Sequence, residues 1–139
     1  NDAPLPAGFK ADLTPRPDLA QTIAVTCFGL GIACHLTGLH TLKIKETDRL
    51  VALQNELTKL GAVVHITQDT LLLESHEIAF ENRTQDIEIA TYDDHRMAMA
   101  FGVLAELFCI TIQDPMVVTK SYPAFYSDLK KMGISADFC

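Results

Sequence analysis

A chain of 139 residues, 48% hydrophobic and 21% charged, has the size and composition of one globular domain. Its formal net charge of −7 argues against nucleic acid as a partner. It contains no apolar run of the roughly eighteen residues a membrane span requires, and its first residues do not carry a signal-peptide pattern.

In chain order, residues 1–10 are Pro-rich and read as a loose lead-in. Residues 11–14 read as a short strand. Pro17 opens a helix over 18–31, near the first helical position, where its fixed φ fits and its missing N–H costs nothing. That helix is apolar on nearly every side (Ile23, Ala24, Val25, Cys27, Phe28, Leu30) and is predicted to be deeply buried. Residues 35–39 read as a strand. A second helix over 48–60 carries Leu50, Leu53, Leu57 and Leu60 in one stripe and closes at Gly61. Two strands, 62–67 and 71–74, flank a Gln68-Asp69-Thr70 turn. Next come a strand over 86–91, a small-residue helix over 94–107, and extended segments at 109–113 and 117–118. Pro123 opens a shorter helix that ends near Gly133.

The order β-α-β-α-β-β therefore starts again in the second half. Asp18 and Asp94 both open the apolar helix, and Lys45 and Lys120 both precede the next one, at separations of 27 and 26 residues. Leu60-Gly61 and Met132-Gly133 close the second helices. A period near 75 residues is longer than a solenoid repeat. The expected fold class is α/β (α+β), with a complete unit over 11–75 and a partial one over 86–139 that lacks the last two strands.

Cys27, Cys34, Cys109 and Cys139 include no C-x-x-C pair, and three of them lie in apolar runs, so buried free thiols in a reducing cytosol are expected rather than disulfides. Cys34, His35 and His40 match no zinc spacing, and no metal is expected. Of the eleven Lys and Arg, six (Arg16, Lys43, Lys45, Arg49, Arg96, Lys120) fall close to predicted helix starts. That arrangement suits small anions. On spacing alone, a solvated surface is an equal reading.

Two strings concentrate the chemistry. Lys43-Ile44-Lys45-Glu46-Thr47-Asp48-Arg49-Leu50 packs three cations and two carboxylates ahead of an amphipathic run, where a helix N-terminus can hold an anion. The second is Ala90-Thr91-Tyr92-Asp93-Asp94-His95-Arg96-Met97-Ala98-Met99-Ala100. Together, and in this order, they resemble signatures of the 5-enolpyruvylshikimate-3-phosphate synthase family. The resemblance runs from about Leu13 to Tyr126.

The resemblance implies a fold of two domains, each of three β-α-β-α-β-β units with helices at the centre, an inside-out barrel. Residues 1–139 would be part of the C-terminal domain, and the start at Asn1 fits an excised piece whose N-terminal domain is a missing partner. It also implies a cytoplasmic transferase of the shikimate pathway and aromatic amino-acid biosynthesis. Such an enzyme joins the 5-hydroxyl of shikimate 3-phosphate to C2 of phosphoenolpyruvate and expels phosphate, with no cofactor. This chemistry needs cations and oriented N–H donors for a compact polyanion, and carboxylates that move protons.

By resemblance, Glu46 sits near the phosphoenolpyruvate methylene and carries its proton, between Lys45 and Arg49, which favour its ionised form. Lys45 lies near both the reacting hydroxyl and the intermediate. Arg49, Arg96 and Lys120 grip phosphoenolpyruvate. Asp18 contacts the shikimate hydroxyls and acts as a base. Asp94 and His95 are further substrate-site residues, His95 either orienting Glu46 or contacting phosphate rather than binding a metal. Thr41 stands where many relatives carry Asn among the shikimate 3-phosphate contacts, so that contact is in question. Without the resemblance, Asp18 and Asp94 read as helix-start residues, Glu46 as a first-turn Glu and Arg49 as a surface ion-pair partner.

All these residues are expected to converge on one face. Two other readings stand beside the first: the same transfer onto UDP-N-acetylglucosamine, and a non-catalytic anion-binding module. The isolated chain is expected to be inactive, because one wall of a two-domain site is missing.

Overall fold

Parallel pairing of two short strands across a buried helix sets the architecture twice over. The computed structural model describes residues 8–44, 48–74 and 86–134. The chain divides into two compact units, Asn1–Ala79 and Phe80–Cys139.

In the first unit, β1 (Gly8–Asp12) pairs in parallel with β2 (Ala33–Thr37), Gly8 opposite Ala33 and Asp12 opposite Thr37. The crossover between them carries a 3-10 turn (Pro17–Leu19) and helix α1 (Ala20–Leu30). A second 3-10 turn (His40–Ile44) leads towards α2 (Arg49–Lys59). The hairpin of β3 (Val64–Ile66) and β4 (Leu71–Leu73) completes a four-stranded sheet of order β1-β2-β4-β3. The leucine stripe of α2 folds as predicted: Leu50, Leu53, Leu57 and Leu60 are buried, with Leu36, Leu71 and Leu73 of the sheet also among the core residues. Apolar burial at i, i+3, i+7 and i+10 is what a one-sided helix requires.

The second unit repeats the pattern. β5 (Ile87–Ile89) pairs in parallel with β6 (Ile110–Ile112). Helix α3 (His95–Gly102) forms the crossover, and α4 (Phe125–Lys131) follows a 3-10 turn at Pro115–Val118. Ala98, Val118, Phe125, Leu129 and Ile134 form its apolar cluster.

The repeat extends to hydrogen bonds. Gly61 and Gly133 close α2 and α4 at φ of +98° and +96°. In each case the next N–H reaches back over the helix end, Ala62 to the Leu57 carbonyl at 3.1 Å and Ile134 to Leu129 at 3.0 Å. Only a residue without Cβ adopts that conformation cheaply.

Several expectations are corrected. The lead-in ends at Gly8, since residues 8–10 already pair with 33–35. β1 stops at Asp12, whose carboxylate accepts the Thr14 N–H at 3.0 Å and turns the chain. Helix α1 is not buried all round: Thr22, Thr26 and Leu30, spaced by four, form an exposed stripe, and Gln21 is buried. The helix from 94 tightens after Gly102 into a 3-10 turn at Val103–Glu106. Val117 and Val118 are not extended but lie in a 3-10 turn. Pro115 presets the helical φ there, just after Asp114 enters at φ +48°. Cys109 is exposed, because it precedes β6 rather than lying inside it.

Gly38 takes φ +74°, and a Cβ there would lie 2.5 Å from the Thr14 nitrogen and 2.6 Å from Asp12 Oδ1. Backbone cannot yield as a side chain does. Gly38→Ala is expected to cost about 3 kcal/mol, from the left-handed conformation and the overlap together. Thermal unfolding should show a Tm lower by on the order of 10 °C.

The Cys27 and Cys34 thiols hydrogen-bond to each other in the core. Burial pushes both up, and with the neighbouring Cys27 charge it takes Cys34 to about 12. A folded-state value above the unfolded 9.0 adds stability that is complete below pH 9 and is lost as pH rises from about 9 to about 12. At pH 8 an alkylating reagent should therefore label Cys109 well before Cys27 or Cys34, as read by peptide mass spectrometry. Among the described residues, no helix is long and apolar enough to cross a membrane.

Candidate functional site

In each unit the predicted site residues that are described lie in the turns and helix starts that come after the C-terminal ends of the parallel strands. That is the edge where open α/β sheets leave helix N-termini and free backbone donors.

In the first unit, Asp18 lies exposed in the 3-10 turn that follows β1, next to Pro17. Thr41 lies in the 3-10 turn that follows β2, and the two turns pack against each other. The Thr41 Oγ1 is buried and has no hydrogen-bond partner among the described residues. A buried hydroxyl without a partner forfeits roughly 1–3 kcal/mol, a cost that a polar ligand group would remove. Lys45 and Glu46 lie outside the described residues. Asp48 caps α2, its carboxylate accepting from the Leu50 and Val51 N–H groups at 3.1 and 3.2 Å. The cap fixes Arg49 as the first residue of the helix, half-buried.

In the second unit, Asp94 caps α3, accepting the Arg96 N–H at 2.9 Å, and is only 8% exposed. His95 and Arg96 follow in the first turn, each half-buried. Lys120 is exposed in the turn after Pro115–Val118, a segment that packs against α3.

Both units thus place an Asp cap at a helix start with an Arg in the first turn, Arg49 next to Asp48 and Arg96 two residues past Asp94. The cap fulfils the helix-start role expected of Asp94, and Asp48 has the same role in α2. A cation at a helix N-terminus is unfavourable against the dipole, and an anion arriving there relieves it. Cys34 and His35 point to opposite faces of β2, Cys34 buried and His35 towards solvent.

Sequence reasoning missed Thr91. It is 1% exposed, and its Oγ1 donates to the Gln113 carbonyl at 3.0 Å. The two residues after it, Tyr92 and Asp93, both take positive φ, 54° and 56°. The Asp could have hinted at this, since Asp tolerates the left-handed region, but nothing in a Tyr signals it.

A family model described as EPSP synthase (3-phosphoshikimate 1-carboxyvinyltransferase) matches residues 4–129. The 3-phosphoshikimate 1-carboxyvinyltransferase of Bacteroides fragilis strain NCTC 9343 is 48% identical over 123 residues, which cover 88% of this chain and 30% of the relative. That of Neisseria meningitidis serogroup B strain MC58 is 35% identical over 130 residues, 93% of this chain and 29% of the relative. A solved structure of EPSP synthase from Acinetobacter baumannii superposes with a TM-score of 0.74 at 24% identity, over 86% of this chain and 28% of that one. The fold is shared with that structure, and the chain spans about 30% of the length of the relatives it matches.

Proposed function

The chain belongs to the EPSP synthase family, and from that premise we propose that it is part of the C-terminal domain of a cytoplasmic enzyme that transfers enolpyruvyl from phosphoenolpyruvate to the 5-hydroxyl of shikimate 3-phosphate. The observation that carries this reading is the pair of Asp-capped helix starts, each followed by an Arg, within the two strings that resemble the family. They place guanidinium groups at two helix starts, where a doubly anionic substrate can be held.

In this mechanism Arg49, Arg96 and Lys120 hold the carboxylate and phosphate of phosphoenolpyruvate. Asp18 takes the proton of the 5-hydroxyl as its oxygen bonds to C2. Glu46 delivers a proton to the methylene carbon, which becomes a methyl group in a tetrahedral intermediate. The Glu46 carboxylate then takes a proton back from that methyl group, which restores the alkene as the C2–O bond to phosphate breaks and phosphate leaves. Lys45 neutralises charge at the hydroxyl and in the intermediate, His95 orients Glu46, and Asp94 and Thr41 bind the second substrate. The Thr41 hydroxyl can donate a hydrogen bond where many members of the family carry Asn. The N-terminal domain supplies the remaining contacts.

The test is a chimaera in which this chain replaces the matching 30% of the B. fragilis relative. Phosphate release that requires both phosphoenolpyruvate and shikimate 3-phosphate is expected. Release with UDP-N-acetylglucosamine instead would assign the sister reaction, and a folded chimaera that releases no phosphate with either would leave an anion-binding module.

A further inference from the structure

Two consecutive left-handed residues, neither of them glycine, stand between β5 and the cap of α3. Each such residue costs on the order of 1–2 kcal/mol, and a bulky one such as Tyr92 is a rarity. Strain of this kind persists only where the surroundings over-determine it.

The topology does not demand it. The first unit makes the same strand-to-helix turn between Asp12 and Ala20 with no positive φ. There the Leu13 N–H bonds to Thr37 and the Arg16 N–H to Leu13, both at 2.9 Å. The strain is therefore particular to the turn that leads to His95 and Arg96.

The restraints on that turn are identifiable. Gln113 is tied twice to the end of β5: its N–H donates to the Ile89 carbonyl at 2.8 Å, and its carbonyl accepts the Thr91 hydroxyl at 3.0 Å. Thr91 is thereby fixed at the end of the sheet with its side chain in the core. Its own carbonyl accepts the Asp94 N–H at 2.8 Å, closing a turn around Tyr92 and Asp93. Asp94, held there, accepts the Arg96 N–H.

We propose that Thr91 is a positioning residue for substrate binding: its buried hydroxyl bond to Gln113 locks the left-handed Tyr92-Asp93 turn, which sets where α3 begins and hence where His95 and Arg96 stand. This rests on the reading above that those two residues bind substrate. Thr91 acts through them and touches no substrate itself.

Two measurements on Thr91→Val and Thr91→Ser decide it. Val keeps the shape and removes the donor, and Ser keeps the donor. In the active chimaera, Thr91→Val should raise KM for phosphoenolpyruvate about ten- to a hundredfold, the scale of a small misplacement of binding groups. Its kcat should stay within about twofold of the parent, the signature of lost binding shared by ground and transition states. Thr91→Ser should restore the parent KM. In the 139-residue chain alone, amide exchange should show the Arg96 N–H losing protection in Thr91→Val and regaining it in Thr91→Ser, with the protection of β5 and β6 unchanged.

An unchanged Arg96 amide, a Ser variant as impaired as Val, or equal losses in kcat and affinity together with a general fall in protection would each overturn the proposal. If the parent chimaera releases no phosphate, the reading of function fails instead. The exchange data would then still decide whether Thr91 sets the start of α3.

Discussion

Glu46→Gln in the chimaera lowers turnover by about 10²–10⁴-fold, the range a positioned proton carrier contributes, and leaves KM for phosphoenolpyruvate near that of the parent. The amide keeps the size and hydrogen-bonding capacity of the carboxylate but cannot exchange a proton with the methylene carbon. Arg49→Ala behaves in the opposite order. It removes a guanidinium fixed at the first residue of α2 by the Asp48 cap, so KM for phosphoenolpyruvate rises first. Loss of one charge-assisted contact, about 1.5–3 kcal/mol, corresponds to roughly ten- to a hundredfold in KM. Steady-state phosphate release at varied phosphoenolpyruvate separates the two variants. Near-normal turnover in Glu46→Gln would remove Glu46 from the proton step and leave Asp18 as the remaining candidate acid or base.

The 139-residue chain alone should release no phosphate and should bind phosphoenolpyruvate and shikimate 3-phosphate only at about millimolar concentration or weaker, near 4 kcal/mol. Lys120 is exposed, and a contact to a solvated cation is weak. On the proposed reading, the other wall of the site and the closure that excludes water would come from the rest of the enzyme. Binding should fall steeply between low and high salt, because exposed charges are screened within about 10 Å at 0.1 M. Titration calorimetry at two ionic strengths measures this. Tight, salt-insensitive binding would show that the chain already holds a finished site.

What could be read from the sequence was whatever a periodicity or a special residue announces locally. The leucine stripe of α2, Gly61 and Gly133 as helix stops, and the turn between β3 and β4 are each signalled within a few residues. Errors arose where tertiary pairing decides. Residues 8–10 become strand only because 33–35 lie beside them, and the β-branched Val117 and Val118 follow the φ set by Pro115 rather than their own propensity. Cys109 looked buried because apolar neighbours in sequence were read as neighbours in space. For the site, the two charged strings were legible as chemistry because their residues are adjacent. The geometry that aims them was not, since the Thr91–Gln113 bond joins residues 22 apart, and two left-handed residues in a row carry no compositional mark.

The two-stranded β5–β6 sheet has a consequence for when this protein is ready to bind. A lone pair of strands is of marginal stability by itself, whereas the first unit has four strands. Among the described elements, the parting of β5 from β6 is therefore expected to cost less than opening the first sheet. On the proposed reading Arg96 and Lys120, seven and eight residues past those strands, hold the anion, so each such opening would disturb them. The fraction of molecules able to bind would then depend on the second unit, and an anion held by Arg96 and Lys120 would stabilise that unit. Affinity and local folding become one equilibrium, in which ligand slows hydrogen exchange along β5 and β6 before it alters the first sheet.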